Sequence, residues 1–268
     1  MDDSFASATA ITLDGDLRFR WDVPDGWQQG RGAFGGLVLG TLLRAMEACE
    51  PDPARRTRSL SGEIVAPVVP GATTVVVEIL RRGRGTTFLS ARALQGDATV
   101  ARASALCASP RPSGAARAGL SAPVLPPIAD LVALPPPLAL GIGPPRFTRH
   151  YEYRPVPPLA FSSAAVAAAS GWLRERAAPS ALDGPALIGL LDAWWPAALA
   201  CEPAPRPMAT VTFMAELLAD PATLDPATSF AYRARLDGVA DGFSVEMREL
   251  WQGDTLVALN QQVFAILA

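Results

Sequence analysis

Apolar and polar residues alternate through Leu17–Val23 (LRFRWDV), which predicts a strand with one buried face. After a loop over 24–32, FGGLVLGTLLRAMEACE (Phe34–Glu50) is apolar nearly all the way round, which predicts a helix buried on most sides. Glycines at its start admit close backbone approach and leave bare N–H groups there. Four strands are expected next, at Arg58–Ala66, Thr73–Arg81, Thr86–Leu94 and Thr99–Ala108. The turn sequences VVPGA, RRGRG and QGDA between them make an antiparallel meander.

Residues 110–145 are rich in Pro, Ala and Gly and read as a connector, with a short helix near Ile128–Leu134. The pattern then restarts. Strands are expected at Arg146–Val156 and Ala164–Arg176, and a second buried helix at Pro185–Leu199 with Pro in its first turn. Strands at Pro207–Leu217, Ser229–Leu236, Gly242–Trp251 and Leu256–Leu267 complete the chain. LQGDATVARASALCA (Leu94–Ala108) superposes without a gap on WQGDTLVALNQQVFA (Trp251–Ala265), so that Gln95 falls on Gln252 and Ala105 on Gln262. With the repeated strand–helix–meander order, this indicates internal duplication. The expected architecture is α+β, with units 1–109 and 146–268 joined by 110–145.

Composition narrows the chemistry. The chain has 268 residues, 50% hydrophobic and 18% charged, enough to build a large core. The net charge of −3 implies no nucleic-acid surface. No apolar run is long enough for a membrane span, and no secretory signal is visible, so a cytoplasmic protein is expected. Cys49, Cys107 and Cys201 lie far apart in apolar surroundings and read as reduced core thiols. All 23 basic residues are Arg, and there is one His. These counts exclude a catalytic lysine and a two-histidine metal site within the chain. No metal or cofactor is expected. Carboxylates, hydroxyls, amides and backbone N–H groups must carry any catalysis.

GRGAFGGLVLGTLLRAM (Gly30–Met46), SLSGEIVAPVVPG (Ser59–Gly71) and VEILRRGRGTTFLSARALQGDATVARASA (Val77–Ala105) resemble the TesB-like, type II acyl-CoA thioesterases. LIGLLDAWWP, MATVTF and LVALNQQVF carry the resemblance through the second half. It implies a double hotdog fold, in which two antiparallel sheets, each wrapped round an apolar helix, join into one. It also implies acyl-CoA as substrate and a homo-oligomer. Because Ala105 stands where Gln262 does and the first helix has no acid before Glu47, one active site per chain is expected. Asp192, Thr210 and Gln262 match the family's site residues.

Asp192 lies in an otherwise apolar helix. A buried carboxylate must be paired or hydrogen-bonded, and burial raises its pKa toward the range of a general base. The bland alternative is an exposed stripe, or a cap on neighbouring backbone. Thr210 and Thr212, two apart on one strand, are expected on the same face, so Thr212 stays an alternative. Gln261 and Gln262 should point to opposite faces, and a one-residue register error would exchange them. The helix start at Phe34, Gly35 and Gly36 offers N–H groups and a positive dipole end for an oxyanion. Trp194 and Trp195 are expected beside an acyl tunnel. Lone His150 reads as an ordinary strand residue, and the arginine clusters at 55–58 and 81–84 as solvated turns. Hydrolysis of acyl-CoA by activated water is the first reading. The alternative is a non-catalytic acyl-CoA or acyl-carrier binding module of the same fold. A hydratase is weaker, because it calls for a catalytic His.

Overall fold

Strand alternation and the two apolar helices organise the molecule. The computed structural model describes residues 3–112, 119–136 and 145–266. The first half contains α1 (Phe5–Ala8), β1 (Thr12–Leu13), β2 (Arg18–Val23), β3 (Gln28–Gln29), β4 (Gly32–Ala33), α2 (Gly35–Ala48), β5 (Arg56–Ile64), β6 (Gly71–Arg82), β7 (Thr86–Gln95) and β8 (Ala98–Ala108). The second contains β9 (Tyr151–Val156), β10 (Ala168–Glu175), α3 (Gly184–Ala193), β11 (Met208–Leu217), β12 (Phe230–Ala240), β13 (Phe243–Gln252) and β14 (Thr255–Ile266). β2 buries every second residue, as its alternation predicts.

Twelve strands form one antiparallel sheet in the order β1-β2-β6-β7-β8-β5-β11-β14-β13-β12-β10-β9. The halves meet where β5 pairs with β11, from Thr212 opposite Glu63 to Glu216 opposite Ser59. Pairing these two strands removes two exposed edges. Outward from this seam, β5-β8-β7-β6-β2 mirrors β11-β14-β13-β12-β10. Both seam strands also shift register near their start, β5 between Thr57 and Ser59 and β11 between Thr210 and Thr212.

α2 packs on β5–β8 and α3 on β10, β13 and β14, and the helices pack on each other. They run antiparallel. Gly36 meets Gly189 and Asp192, while Gly184 meets Leu43 and Glu47 at the far end. A Cβ on Gly36 would lie 3.2 Å from Gly189 Cα and 2.9 Å from Asp192 Cβ, so this crossing leaves little room for a side chain at that position.

Several expectations need correction. The second helix stops at Ala193 rather than Leu199, and Trp194 is already extended with ψ 149°. Pro196 disfavours helix at the residue before it, and a separate 3-10 turn then covers Ala197–Ala200. Arg146–His150 is a 3-10 turn rather than strand. Its Phe147 stacks on Phe34 at 4.3 Å and its His150 on Trp27 at 3.7 Å, tertiary contacts that override the alternation. β10 begins at Ala168 rather than Ala164, and β12 runs on to Ala240. The helix expected near Ile128–Leu134 is a 3-10 turn over Ile128–Asp130. Within the expected connector, residues 113–118 and 137–144 lie outside the described residues. All three cysteines are free, but only Cys107 is a core thiol: Cys49 is half-buried and Cys201 exposed.

Candidate active site

Asp192 sits in the last turn of α3, against the first turn of α2. Its Oδ2 accepts the Gly36 N–H at 2.6 Å, and its Oδ1 accepts from Gln262 Nε2 at 2.9 Å. The carboxylate therefore caps the first turn of α2, whose positive dipole end favours an anion. It also lies at the negative end of its own helix. Burial raises its pKa, and Arg248, Gln262 and the Gly36 N–H oppose that rise. Each carboxylate oxygen has one hydrogen bond and a second lone pair that can accept another.

Gln262 points inward and is fully buried, whereas neighbouring Gln261 is exposed, which settles the register of β14. Its amide orientation follows from its partners. Nε2 donates to Asp192 Oδ1 and to Asn260 Oδ1 at 2.9 Å, and Oε1 accepts from Thr210 Oγ1 at 3.3 Å. A carboxylate can only accept, so the nitrogen must face Asp192.

Thr210 and Thr212 do not share a face. The register shift between them lets Thr210 turn inward to Gln262 while Thr212 is exposed. An extra residue in one strand reverses the alternation beyond it, which simple period-two counting misses.

Behind this cluster stand groups that sequence reasoning did not single out. Arg248 is fully buried, donates through Nε to Glu246 Oε1 at 2.8 Å and through Nη1 to Leu191 O at 3.0 Å, and lies 3.9 Å from Asp192 Oδ1. Glu246 Oε2 accepts the Ala197 N–H at 2.6 Å. Asn260 Nδ2 donates to Met214 O at 2.8 Å. Burial pushes the Glu246 carboxyl up, and Arg248 opposes it. The signal was an inverted alternation in FSVEMREL. Ser244, Glu246 and Arg248 face inward while Phe243, Val245 and Met247 are more exposed.

Of the three amides expected at the start of α2, Phe34 N–H donates to Trp27 O at 3.0 Å and Gly36 N–H to Asp192. This corrects the expectation of three free donors. Of these three, Gly35 donates its N–H to no group among the described residues, and it fronts the site: a Cβ there would lie 2.9 Å from Asp192 Oδ2 and 3.9 Å from Thr210 Cβ. Trp194 is buried and stacks on Tyr232 at 4.9 Å, and Trp195 is half-buried at 4.9 Å from Trp194. Tyr153 donates to Ala193 O at 2.8 Å and holds the end of α3 beside them. His150 is remote from Asp192's hydrogen bonds. Its Nε2 lies 3.0 Å from Gly26 O, and burial lowers its pKa. Among the described residues, no group of three His, Cys, Asp or Glu is placed to hold a metal ion. No helix among them is long and apolar enough to cross a membrane.

Two family patterns match the chain, the acyl-CoA thioesterase N-terminal domain over residues 23–108 and its C-terminal domain over 124–266. The chain belongs to the TesB-like acyl-CoA thioesterase family. It is a thioester hydrolase by that membership. Solved structures share its fold over almost the whole length. A conserved protein of unknown function with a hot dog fold from Alicyclobacillus acidocaldarius is 26% identical, with TM-score 0.88 and 98% of each chain covered. Acyl-CoA thioesterase II TesB2 from Mycobacterium marinum is 17% identical, with TM-score 0.76 and 98% of each chain covered. A tesB protein from Mycobacterium avium subspecies paratuberculosis is 14% identical, with TM-score 0.80 and the same coverage. No curated protein matches the sequence. The thioesterase is thus a hot dog protein of α+β class built on one large antiparallel sheet.

Proposed function

We propose that this thioesterase hydrolyses acyl-CoA to a free acid and CoA at a single principal site made by Asp192, Thr210 and Gln262. The carrying observation is the 2.9 Å hydrogen bond from Gln262 to Asp192, with Thr210 bonded to the same amide. A water seated against these groups gives its proton to Asp192 while its oxygen attacks the thioester carbonyl. The Gly35 N–H meets the developing oxyanion, and the dipole of α2 adds to its stabilisation. No cofactor is needed. The acyl chain runs past Trp194 and Trp195, which limit its length.

In this reading the fold is a double hotdog, with units 1–109 and 146–268 joined by 110–145. The mirrored strand order about the β5–β11 seam supports it. Exposed Leu80, Phe88, Met214 and Phe243 suit association into a homo-oligomer, which light scattering measures.

Asp192→Asn keeps the size of the side chain and removes the base. Turnover of the best acyl-CoA is expected to fall by roughly 10²-fold or more. A variant within a few-fold of wild type in a free-thiol assay refutes the role of Asp192. A protein that hydrolyses no acyl-CoA of any chain length, yet binds them, returns the reading to a binding module.

A further inference from the structure

Asp192 has a counterpart that the principal reaction does not use. Glu47 stands in the last turn of α2, facing the start of α3, as Asp192 stands in the last turn of α3 facing the start of α2. The first residue of each helix is a glycine pressed against that acid. A Cβ on Gly35 would lie 2.9 Å from Asp192 Oδ2, and one on Gly184 2.6 Å from Glu47 Oε1. The hydroxyls correspond as well. Thr57 precedes the register shift of β5 as Thr210 precedes that of β11, and Thr57 Oγ1 donates to Glu47 Oε1 at 2.6 Å.

This second acid opens onto a cavity of about 260 Å³, whose walls include Glu47, Glu50, Arg55, Arg56, Thr57 and Leu217. The Glu50 side chain is only 3% exposed. Its Oε2 takes no hydrogen bond among the described residues, with Arg55 and Arg82 at 3.9 and 3.8 Å. A buried polar atom without a partner calls for a ligand or a water.

We propose that Glu47 and Thr57 form a second thioester-hydrolysing centre, in the first half of the chain, that takes short acyl thioesters. The chemical class rests on the reading of Asp192 as a hydrolytic base. The cavity volume sets the short acyl group. Glu47 takes a proton from water as the water oxygen bonds to the thioester carbonyl carbon. The C–S bond then breaks, the thiolate leaves and takes that proton from Glu47, and the products are a carboxylic acid and a thiol.

Two substitutions make this centre slower than the first. Ala105 stands where Gln262 stands, so no amide orients the acid. Pro185 occupies the second position of α3, where Gly36 supplies an N–H in α2. The groups facing Glu47 are Arg44 of its own helix, Asp183 at the cap of α3, Thr57 of β5 and Cys107 of β8, with Glu50, Arg55, Arg56 and Asp220 around the cavity. Burial is the largest influence and pushes the carboxyl up to about 7, so near neutral pH about half of it is charged.

The test compares wild type, Asp192→Asn and Asp192→Asn/Glu47→Gln on acetyl-CoA and longer acyl-CoAs from pH 5.5 to 8.5, with free thiol detected. Asp192→Asn should keep a residual rate above buffer, greatest for the shortest chains, that rises with pH, is half-maximal near 7 and levels off above it. Adding Glu47→Gln should remove at least about tenfold of that rate, the low side of a general-base effect. Equal residual rates in the two variants, or no inflection near 7, overturn the proposal. Failure of the Asp192 reading shows separately, as a single substitution without effect on the main rate. Calorimetry with a non-hydrolysable thioether analogue of acetyl-CoA adds a readout independent of turnover. Two molecules per chain, reduced to one by Ala222→Trp at the cavity wall, are expected. One molecule per chain in wild type overturns the second site.

Discussion

Arg248→Met leaves two buried acids without their cation. The Arg248 side chain is 0% exposed and stands 2.8 Å from Glu246 and 3.9 Å from Asp192. Met fills much of its volume, so the loss is mainly electrostatic. Removing one partner of a buried pair costs about 3–5 kcal/mol, because the remaining charge stays desolvated. The effect on Asp192 can be set separately. Two charges about 4 Å apart interact by roughly 4 kcal/mol at an effective dielectric near 20, enough to matter for the protonation of Asp192. Arg248 holds down a carboxyl that burial has raised, so its removal moves the Asp192 pKa further up. The Asp192 carboxyl is then protonated over a wider pH range. The acid limb of kcat/KM should move to higher pH, and the rate on that limb should fall accordingly.

Urea denaturation and a pH–rate profile read the two effects independently. Adding Glu246→Gln to Arg248→Met removes the stranded charge and keeps an acceptor for the Ala197 N–H. That double variant should regain much of the lost stability while its acid limb stays high, because Asp192 still lacks its cation. An unmoved acid limb in Arg248→Met would refute the electrostatic role of Arg248. Full recovery of the rate profile with Glu246→Gln would place the effect in Glu246 instead.

Thr210→Val should lower kcat/KM by about five- to tenfold, the scale of one hydrogen bond, while Thr212→Val leaves it unchanged; equal effects would mean the strand does not shift register as described. His150→Ala should leave turnover within twofold and lower stability by about 2 kcal/mol, from the lost stacking on Trp27 and the contact with Gly26 O, measured by denaturant titration. Burial pushes Glu175 up to about 7 from 4.5, so the folded state holds its proton more tightly than the unfolded chain does. That contribution is fully present below pH 4.5 and disappears as pH rises through 7, a loss of about 3 kcal/mol that Glu175→Gln should abolish in matched denaturation curves.

Both apolar helices and the succession of strands along the chain were legible because alternation and all-round hydrophobicity follow directly from burial. The consecutive meander expected from the turns was not formed: β5 pairs with β8 and β11 rather than β6, and β11 with β14 rather than β12, because each seam strand must join the other half. Element ends were less legible. Trp194 and Trp195 read as helix because nothing local but Pro196 forbids it, and Arg146–His150 read as strand because its aromatic partners, Trp27 and Phe34, are distant in sequence. The candidate site divides in the same way. Asp192 and Gln262 stood out as polar residues at apolar positions. Arg248 and Glu246 did not, since their strand carries its apolar residues outward and only the assembled sheet reveals the inversion. Thr212 was separable from Thr210 only through a bulge that no composition signal marks.

Of the two readings of Asp192 drawn from the sequence, a general base and a cap on neighbouring backbone, the contact with Gly36 is the cap, and it does not exclude the base. Its bond to Gly36 N–H satisfies a donor at the start of α2 and fixes the carboxylate beside Gly35, whose own N–H stays open. The Asp192 carboxylate and the Gly35 N–H are therefore held in mutual register by a helix start from one half and a helix end from the other. Neither half can build this arrangement alone: α3 begins Gly-Pro and lacks the second N–H, and the β8 position matching Gln262 is Ala105. The same antiparallel crossing necessarily creates a second meeting of helix end and helix start, at Glu47 and Gly184. The chain thus contains two such crossings, which differ in the donors they place beside the acid: Gly36 N–H and Gln262 at one, Pro185 and Ala105 at the other.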